Sequence, residues 1–157
     1  PFQTLGRDVI AEGLRGGGGQ GLAAEIWGIT PQEYVKVADP WPLNPDGELL
    51  LGLKIEDRPS LPVADEIAAV PGIGFAEWGP GDMRMSFDVG RTGMPQLLVD
   101  ARARVLAATR GAGIAFLNQV NAENIEVMIE EGVRIGANPG AEVADQGRRY
   151  TKRQMPW

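Results

Sequence analysis

Two carboxylate side chains follow predicted strands at points where a parallel sheet presents functional groups. Glu56 comes directly after the largely apolar run Glu48–Ile55, and Asp82 follows the segment Gly74–Trp78 across a Gly79-Pro80-Gly81 turn. Functional groups of parallel α/β folds lie at the carboxyl ends of the strands, so we expect these two side chains to lie close together. Both ionise with ordinary pKa values of about 4, and such oxygen ligands suit hard ions. The pair therefore predicts a site for Mg²⁺, Mn²⁺ or Co²⁺.

A metal held by only two protein ligands keeps several coordination positions open. Such an ion acts as a Lewis acid and can bind a 2-oxo acid through its carboxylate and carbonyl oxygens. The backbone amides of Gly81 and Asp82 are placed to face an anion beside it. Each segment also has a simpler interpretation, since Glu56 is compatible with a solvated strand exit and Gly-Pro-Gly-Asp with a turn that leads into a helix. The metal hypothesis depends on both carboxylates together.

The composition removes several classes of chemistry. The 157-residue chain contains no cysteine and no histidine, so it offers no thiolate nucleophile, no cysteine-bound zinc and not the commonest general base. Its net charge of −6 argues against binding of nucleic acid, which requires a basic surface. The apolar runs are far shorter than the roughly 20 residues of a membrane-spanning helix, and no secretory signal pattern opens the sequence. We expect no nucleic-acid partner, no membrane partner and a cytoplasmic location.

Strand and helix patterns alternate from about residue 45 onward. Repeated strand–helix–strand units with short connections indicate right-handed parallel units, which fit either a doubly wound sheet or half of a (β/α)₈ barrel. The pattern does not divide into two domains, so residues 1–157 are predicted to form part of one domain. The predicted strands are Glu48–Ile55, Gly74–Trp78, Ile114–Asn118 and Val133–Ala137, and the predicted helices are Asp65–Val70, Met94–Arg110 and Asn121–Gly132.

The two ends of the chain carry different patterns. Phe2–Ile10 predicts a helix, whereas Gly13–Gly21 and Ala38–Asp46 predict long irregular segments. The glycine run Gly16–Gly19 lacks the spacing of nucleotide-binding loops, so we interpret it as an active-site or interface loop. At the other end, a basic helix or tail over Arg148–Arg153 is expected to pair with carboxylates of a neighbouring subunit rather than with nucleic acid.

Five segments occur in the order and spacing of a known family, namely G-L-R-G-G-G-G, L-K-I-E, F-A-E-W-G-P-G-D-M, G-I-A-F-L-N and V-R-I-G-A-N. In these segments the chain resembles the HpcH/HpaI aldolases, which are metal-dependent class II pyruvate aldolases of the 2,4-dihydroxyhept-2-ene-1,7-dioate or 4-hydroxy-2-oxo acid type. The resemblance implies a (β/α)₈ TIM barrel, of which this chain supplies roughly the C-terminal half, strands five to eight with their helices.

The resemblance also assigns roles to individual residues. It implies that Glu56 and Asp82 are the metal ligands, and that the backbone amides of Gly81 and Asp82 hold the carboxylate of pyruvate. Lys54, at a position where many members carry glutamine, is assigned by the same resemblance to the substrate site. The family's general-base histidine and pyruvate-binding arginine lie in the first half of its barrel, and this sequence contains neither that half nor any histidine.

The activity implied by the resemblance is the reversible cleavage of a 4-hydroxy-2-oxo acid to pyruvate and an aldehyde. Because the chain opens at Pro1 without an initiator methionine, we expect the other half-barrel to come from earlier residues or from another chain, in a homo-oligomer. We also expect this chain alone to bind metal weakly and to be a poor catalyst. Two alternatives stay open, an acyl-CoA lyase of the citryl- or malyl-CoA type on the same fold, and a non-catalytic fragment or assembly subunit that retains the fold.

Overall fold

The computed structural model describes residues 19–41, 43–137 and 140–154. The chain divides into two compact units, a division that the strand pattern of the sequence does not predict. The first unit comprises residues 1–51 and 71–74, and the second comprises residues 52–70 and 75–157. The predicted helix Phe2–Ile10 and nearly all of the glycine run lie outside the described residues.

The described part of the first unit contains two helices that the sequence analysis does not predict. They are α1 (Gln20–Trp27) and α2 (Pro31–Val37), and they contact each other. A capping box begins α2, because the Thr30 side chain accepts a hydrogen bond from the Glu33 amide while the Glu33 carboxylate accepts one from the Thr30 amide. Between the helices the rings of Trp27 and Tyr34 meet edge to face at 5.0 Å.

The predicted strand Glu48–Ile55 is wrong as a single element. The structure divides it into β2 (Leu49–Leu50), which pairs in parallel with β1 (Pro40–Trp41), and β3 (Gly52–Ile55), which pairs with β4 (Phe75–Trp78). The segment predicted to be irregular, Ala38–Asp46, accordingly contains the short strand β1. A continuous apolar run gives no sign of which neighbour each residue pairs with, and here the two halves of the run join different sheets.

The second unit is built on a four-stranded parallel sheet in the order β3-β4-β5-β6. Its strand order equals the chain order, without the reversal that defines a doubly wound sheet. This confirms the predicted parallel α/β organisation. After β3 and β4, the remaining elements are β5 (Ala115–Gln119), β6 (Val133–Ala137), a 3₁₀ turn (Arg58–Ser60), α3 (Ala64–Ala68), α4 (Pro80–Ser86), α5 (Gln96–Ala112), α6 (Ile125–Glu131) and α7 (Ala141–Thr151).

The helices cover one face of this sheet. Ile55, Trp78 and Phe116 alternate with more exposed residues along their strands and are buried, together with Leu98 and Val105 of α5, in one apolar cluster. Burial of a side chain of this size contributes about 1.5–3 kcal/mol. The same alternation turns Lys54 of β3 and Glu77 of β4 toward the opposite face, where both keep access to solvent.

Several helix boundaries differ from the predicted ones for local reasons. The long helix α5 begins and ends two residues later than predicted, because Gly111 is accommodated inside it and Gly113, at φ 70°, ends it. The predicted first residue of the next helix, Asn121, precedes α6 by four residues, since its side chain accepts hydrogen bonds from the amides of Glu123 and Asn124 in the preceding turn. Within the described residues no helix has the length and apolar character needed to cross a bilayer.

Candidate metal centre

Glu56 directly follows β3 and makes an ion pair with Lys54. The Lys54 Nζ lies 3.0 Å from Glu56 Oε2, and the two side chains are 43% and 35% exposed. The exposure of Glu56 belongs to the rest of its side chain, because Oε2 itself is shielded from solvent. Among the groups that the structure describes, none donates a well-aligned hydrogen bond to this oxygen. An anionic oxygen in this state is a suitable ligand for a cation.

The backbone of Gly79 packs directly against Glu56. The Gly79 amide donates a hydrogen bond of 3.2 Å to the carbonyl of Ile55, which joins the end of β4 to the end of β3. A Cβ at position 79 would overlap the Cβ of Glu56 and would lie 2.7 Å from Glu56 Oε2. Only glycine fits there, and its small size brings the Glu56 carboxylate onto the backbone from which α4 starts.

Asp82 is the third residue of α4, exposed to solvent, and the next residue Met83 is fully buried. The helix begins at Pro80, with Gly79 as its N-cap and no side-chain cap. The simpler interpretation of Gly-Pro-Gly-Asp, a turn that leads into a helix, is therefore realised, with Asp82 inside the helix. A Cβ at Gly81 would meet no atom within 4 Å, so the space beside this residue is open in the described part of the protein.

Glu77 is a functional candidate that the sequence analysis missed. It pairs in register with Lys54 across β3 and β4, so the two side chains lie side by side on the same face of the sheet. The sequence carries one signal of it, a single charged residue between the apolar residues Ala76 and Trp78 of a predicted strand. We call Lys54 and the three carboxylates whose charges act on it, Glu56, Glu77 and Asp82, the carboxylate cluster.

Electrostatics link the four members of the carboxylate cluster. The short contact with Glu56 raises the pKa of the Lys54 ammonium, and the negative charges of Glu77 and Asp82 raise it further, against a lowering effect of desolvation. Lys54 therefore stays protonated near neutral pH and acts as the internal counter-cation of the three carboxylates.

The donor set suits a hard cation that retains most of its coordination positions. In residues 19–41, 43–137 and 140–154, no group of three or more acidic, histidine or cysteine side chains is arranged to enclose a metal. A site on Glu56 and Asp82 would supply two protein ligands, and water or a substrate would complete the coordination. The shielded Oε2 of Glu56, which lies 3.0 Å from the Lys54 ammonium, is the atom that fits such an ion best.

A cavity of about 620 Å³ lies elsewhere in the second unit, between α6, β6 and α7. Its walls include Ile125, Ile129, Val133 and Arg134, and none of the members of the carboxylate cluster lines it. The basic segment predicted at Arg148–Arg153 forms the end of α7 and one side of this cavity. Its expected pairing with a neighbouring subunit stays a prediction.

The fold is that of an α/β protein, and its charged cluster lies on β3 and β4 and at the carboxyl ends of these parallel strands. Residues 11–143 match the family model described as HpcH/HpaI aldolase/citrate lyase. The chain belongs to this family, which confirms the resemblance found in the sequence. The model covers most of the chain, including both segments that carry Glu56 and Asp82.

The chain is similar to one curated enzyme and to several solved structures. It is 33% identical over 107 residues to the hydroxypyruvate/pyruvate aldolase of Deinococcus radiodurans, a match that spans 66% of this chain and 36% of that enzyme. A crystal structure of an HpcH/HpaI aldolase/citrate lyase family protein from Burkholderia cenocepacia superposes with a TM-score of 0.63 and 25% identity, over 90% of this chain and 51% of that one.

A third similar structure is protein CitE from Mycobacterium tuberculosis, in complex with magnesium and acetate. It superposes with a TM-score of 0.52 and 15% identity, over 66% of this chain and 50% of that one, and this likeness shows the fold alone. The chain therefore spans about a third of the curated aldolase and about half of the solved relatives.

Proposed function

We propose that this chain is the metal-binding part of a class II pyruvate aldolase, and that it cleaves a 4-hydroxy-2-oxo acid reversibly to pyruvate and an aldehyde within a complete barrel. Membership of the aldolase/citrate lyase family supports a lyase, and similarity to the hydroxypyruvate/pyruvate aldolase favours a pyruvate-type substrate. The single observation that carries the proposal is the Glu56 carboxylate, whose Oε2 is shielded from solvent and lies 3.0 Å from the Lys54 ammonium.

Each residue of the site has a proposed role in this activity. Glu56 and Asp82 hold Mg²⁺, Mn²⁺ or Co²⁺, and a bound ion of this kind supplies Lewis-acid chemistry at the carbonyl group of a 2-oxo acid. The backbone amides of Gly81 and Asp82 orient the substrate carboxylate, as the family resemblance implies. Lys54 contributes to the substrate site, as the same resemblance implies. A general base must come from outside these residues, because the chain has no histidine.

The proposal includes the architecture of the complete enzyme. Four parallel strands in chain order, each neighbouring pair joined by helices, are what strands five to eight of a (β/α)₈ barrel would provide. We propose that four further strands come from residues that precede this segment or from another chain. A homo-oligomer is the arrangement that we expect.

A citryl- or malyl-CoA lyase is the second candidate function. The family description includes citrate lyase, and the CitE structure that this chain resembles in fold holds magnesium and acetate. The same two carboxylates would then bind the ion, and the substrate would be a larger thioester. A non-catalytic assembly subunit is the third, and the absence of histidine is the feature that favours it.

Titration of the full chain with Mn²⁺, followed by electron paramagnetic resonance, tests the site without requiring turnover. We expect one site. We expect Glu56→Gln and Asp82→Asn each to weaken binding at least about tenfold, because loss of a group that only hydrogen-bonds to a metal ligand already costs about that much. Glu66→Gln is the matched control, because Glu66 is an exposed glutamate of α3 outside the carboxylate cluster. Equal binding by all four proteins would contradict the assigned ligands.

Turnover assays then separate the candidate functions. The full chain, with Mg²⁺ or Mn²⁺, is supplied with pyruvate and an aldehyde in one assay and with malyl-CoA or citryl-CoA in another. Product formation in the first assay alone supports the aldolase, and in the second alone supports the acyl-CoA lyase. Metal binding without turnover in either assay, also in the presence of the four further strands that we propose, would favour the assembly subunit.

A further inference from the structure

We propose that Lys54 is a tethered cation that occupies the Glu56 carboxylate in the absence of metal and moves to Glu77 when a divalent ion binds. This inference rests on the proposed function, since it takes Glu56 as a metal ligand. It assigns to Lys54 and Glu77 a role in setting the metal affinity, which goes beyond the ligand set and the reaction.

The first step is that Lys54 and a metal ion compete for the same oxygen. The Lys54 Nζ lies 3.0 Å from Glu56 Oε2, and this oxygen is shielded from solvent. A hard divalent ion would bind a carboxylate oxygen at about 2.0–2.6 Å. A divalent ion on this oxygen would repel the ammonium, because two like charges a few ångströms apart repel each other strongly where solvent is excluded. Binding of the ion to Oε2 therefore favours movement of Lys54 away from Glu56.

The second step is that Glu77 offers Lys54 another partner at short range. Lys54 and Glu77 are register partners on neighbouring parallel strands, which lie about 4.8 Å apart. Both side chains leave the same face of the sheet, so rotation about the side-chain bonds of Lys54 brings its ammonium to Glu77 without any backbone movement. Within the described residues the Glu77 carboxylate makes no hydrogen bond or ion pair that would compete.

The third step is the charge balance of the carboxylate cluster. Without metal, one ammonium faces three carboxylates, and the nearest of these is Glu56. With metal, Glu56 and Asp82 neutralise the divalent ion, while Glu77 neutralises Lys54. Lys54 remains protonated in both arrangements, so its transfer involves no proton. Glu77, which does not bind the metal, thus serves as the partner of Lys54 when the metal is bound.

Metal affinity is the first test. The full chain and its Lys54→Gln variant are titrated with Mn²⁺, and we expect binding by the variant to be about three- to fivefold tighter, the upper range for a partly exposed ion pair. Lys152→Gln is the matched control, because it removes the same charge from the end of α7, and its affinity should stay within about twofold of the wild-type value. Unchanged affinity in Lys54→Gln would overturn the inference.

A double-mutant cycle tests the role of Glu77. Glu77→Gln removes the second partner, so we expect Mn²⁺ to bind more weakly to this variant than to the wild type. In the Lys54→Gln background the same change should have little effect, because no ammonium needs the second partner. An equal effect in both backgrounds would show that Glu77 acts on the metal directly, and this would overturn the transfer.

The movement of Lys54 has a readout that leaves Lys54 itself in place. The chain has three lysines, Lys36, Lys54 and Lys152, which reductive ¹³C-dimethylation labels while preserving their charge. Saturation with Mg²⁺ should shift the Lys54 resonance alone, and Glu56→Gln should abolish this shift. A Lys54 resonance that does not respond to saturating Mg²⁺ would contradict the proposal.

The Mn²⁺ titrations distinguish failure of the proposed metal site from failure of the proposed role of Lys54. If neither the wild type nor Lys54→Gln binds Mn²⁺, the proposed function and this inference are both wrong. If binding is lost in Glu56→Gln and Asp82→Asn but is unaffected by Lys54→Gln, the metal site stands and only the role of Lys54 is wrong.

Discussion

Glu56 lies so close to Gly79 that no side chain can be added at position 79. A Cβ there would overlap Glu56 Cβ and would come within 2.9 Å of Lys54 Cε. Gly79 is buried, and its amide is bonded to the carbonyl of Ile55, so the backbone has little freedom to retreat. This contact fixes the position of the Glu56 side chain relative to the first turn of α4.

Substitution of Gly79 by alanine should therefore affect both stability and the metal site. We expect Gly79→Ala to lower the free energy of unfolding by about 1–3 kcal/mol through overpacking and to weaken Mn²⁺ binding. Gly111→Ala is the control, because a Cβ at Gly111 meets nothing within 4 Å and this glycine lies inside α5. The control should be stabilised by about 0.5–1 kcal/mol. Urea unfolding and Mn²⁺ titration measure the two effects. A Gly79→Ala variant with unchanged free energy of unfolding would show that Gly79 is not packed tightly against Glu56.

Arg102 should contribute more to stability than the neighbouring Arg104. Its Nη2 lies 2.6 Å from Glu131 Oε2, its Nε donates to Asn118 Oδ1 at 3.2 Å, and its guanidinium lies 5.6 Å from the centre of the Phe116 ring. Asn118 is buried, so Arg102→Ala leaves a buried amide group without this partner, at a cost of about 1–3 kcal/mol.

The control for Arg102 is Arg104→Ala, which removes an ion pair with the largely exposed Asp65. Exposed pairs of this kind contribute little to stability. Urea unfolding of both variants compares the two arginines directly. Equal losses would show that Asn118, Phe116 and Glu131 do not form a network with Arg102.

The Asp65–Arg104 pair predicts a pH dependence. Hydrogen bonds from Arg104 of 2.8 and 2.7 Å hold the pKa of the Asp65 carboxyl below its ordinary value. Because the pKa is lowered in the folded state, the pair stabilises the protein above the ordinary carboxyl pKa of about 4, and this stabilisation is lost as the pH falls through the folded-state pKa.

The stability difference between the wild type and Arg104→Gln should therefore be present near neutral pH and shrink under acid conditions. Urea unfolding over a series of pH values measures this difference. In Arg104→Gln the pKa of Asp65, followed by carboxyl NMR, should return toward its ordinary value. A stability difference between the wild type and Arg104→Gln that grows as the pH falls would contradict a lowered pKa of Asp65 in the folded state.

Metal binding should stabilise the folded chain through Glu56. A ligand present at about 100 times its Kd raises the free energy of unfolding by about 2.7 kcal/mol when it binds only the folded state. We expect Mn²⁺ to produce this rise in the wild type and in Glu66→Gln, and a much smaller one in Glu56→Gln. Thermal unfolding with and without Mn²⁺ provides the measurement. An equal rise in all three proteins would place the ion elsewhere.

Local patterns were enough to predict the sheet of the second unit. The strands β5 and β6 and the exit of β4 at Trp78 could be located from short apolar runs that glycine or proline interrupts. The start of α2 was equally readable, because Thr30-Pro31-Gln32-Glu33 has the pattern of a capping box with proline at the first helical position. The sequence analysis missed it, because it assigned no element between Gly21 and Ala38.

Other features depend on contacts between distant residues. The division of the run Glu48–Ile55 into two strands depends on which strand each half pairs with, and no local pattern records that. The place of Glu77 beside Lys54 follows from the register of β3 and β4, which the sequence leaves open. The shielding of Glu56 depends on Gly79, which lies 23 residues later in the chain.

The most direct test of the metal centre is a crystal structure of the full chain with Mn²⁺, with anomalous differences measured at the manganese edge. We predict one strong anomalous peak between the carboxylates of Glu56 and Asp82, with the Lys54 ammonium beside Glu77. A peak bound by other side chains, or no peak at saturating Mn²⁺ with Lys54 still on Glu56, would contradict the assignment of these two residues as ligands.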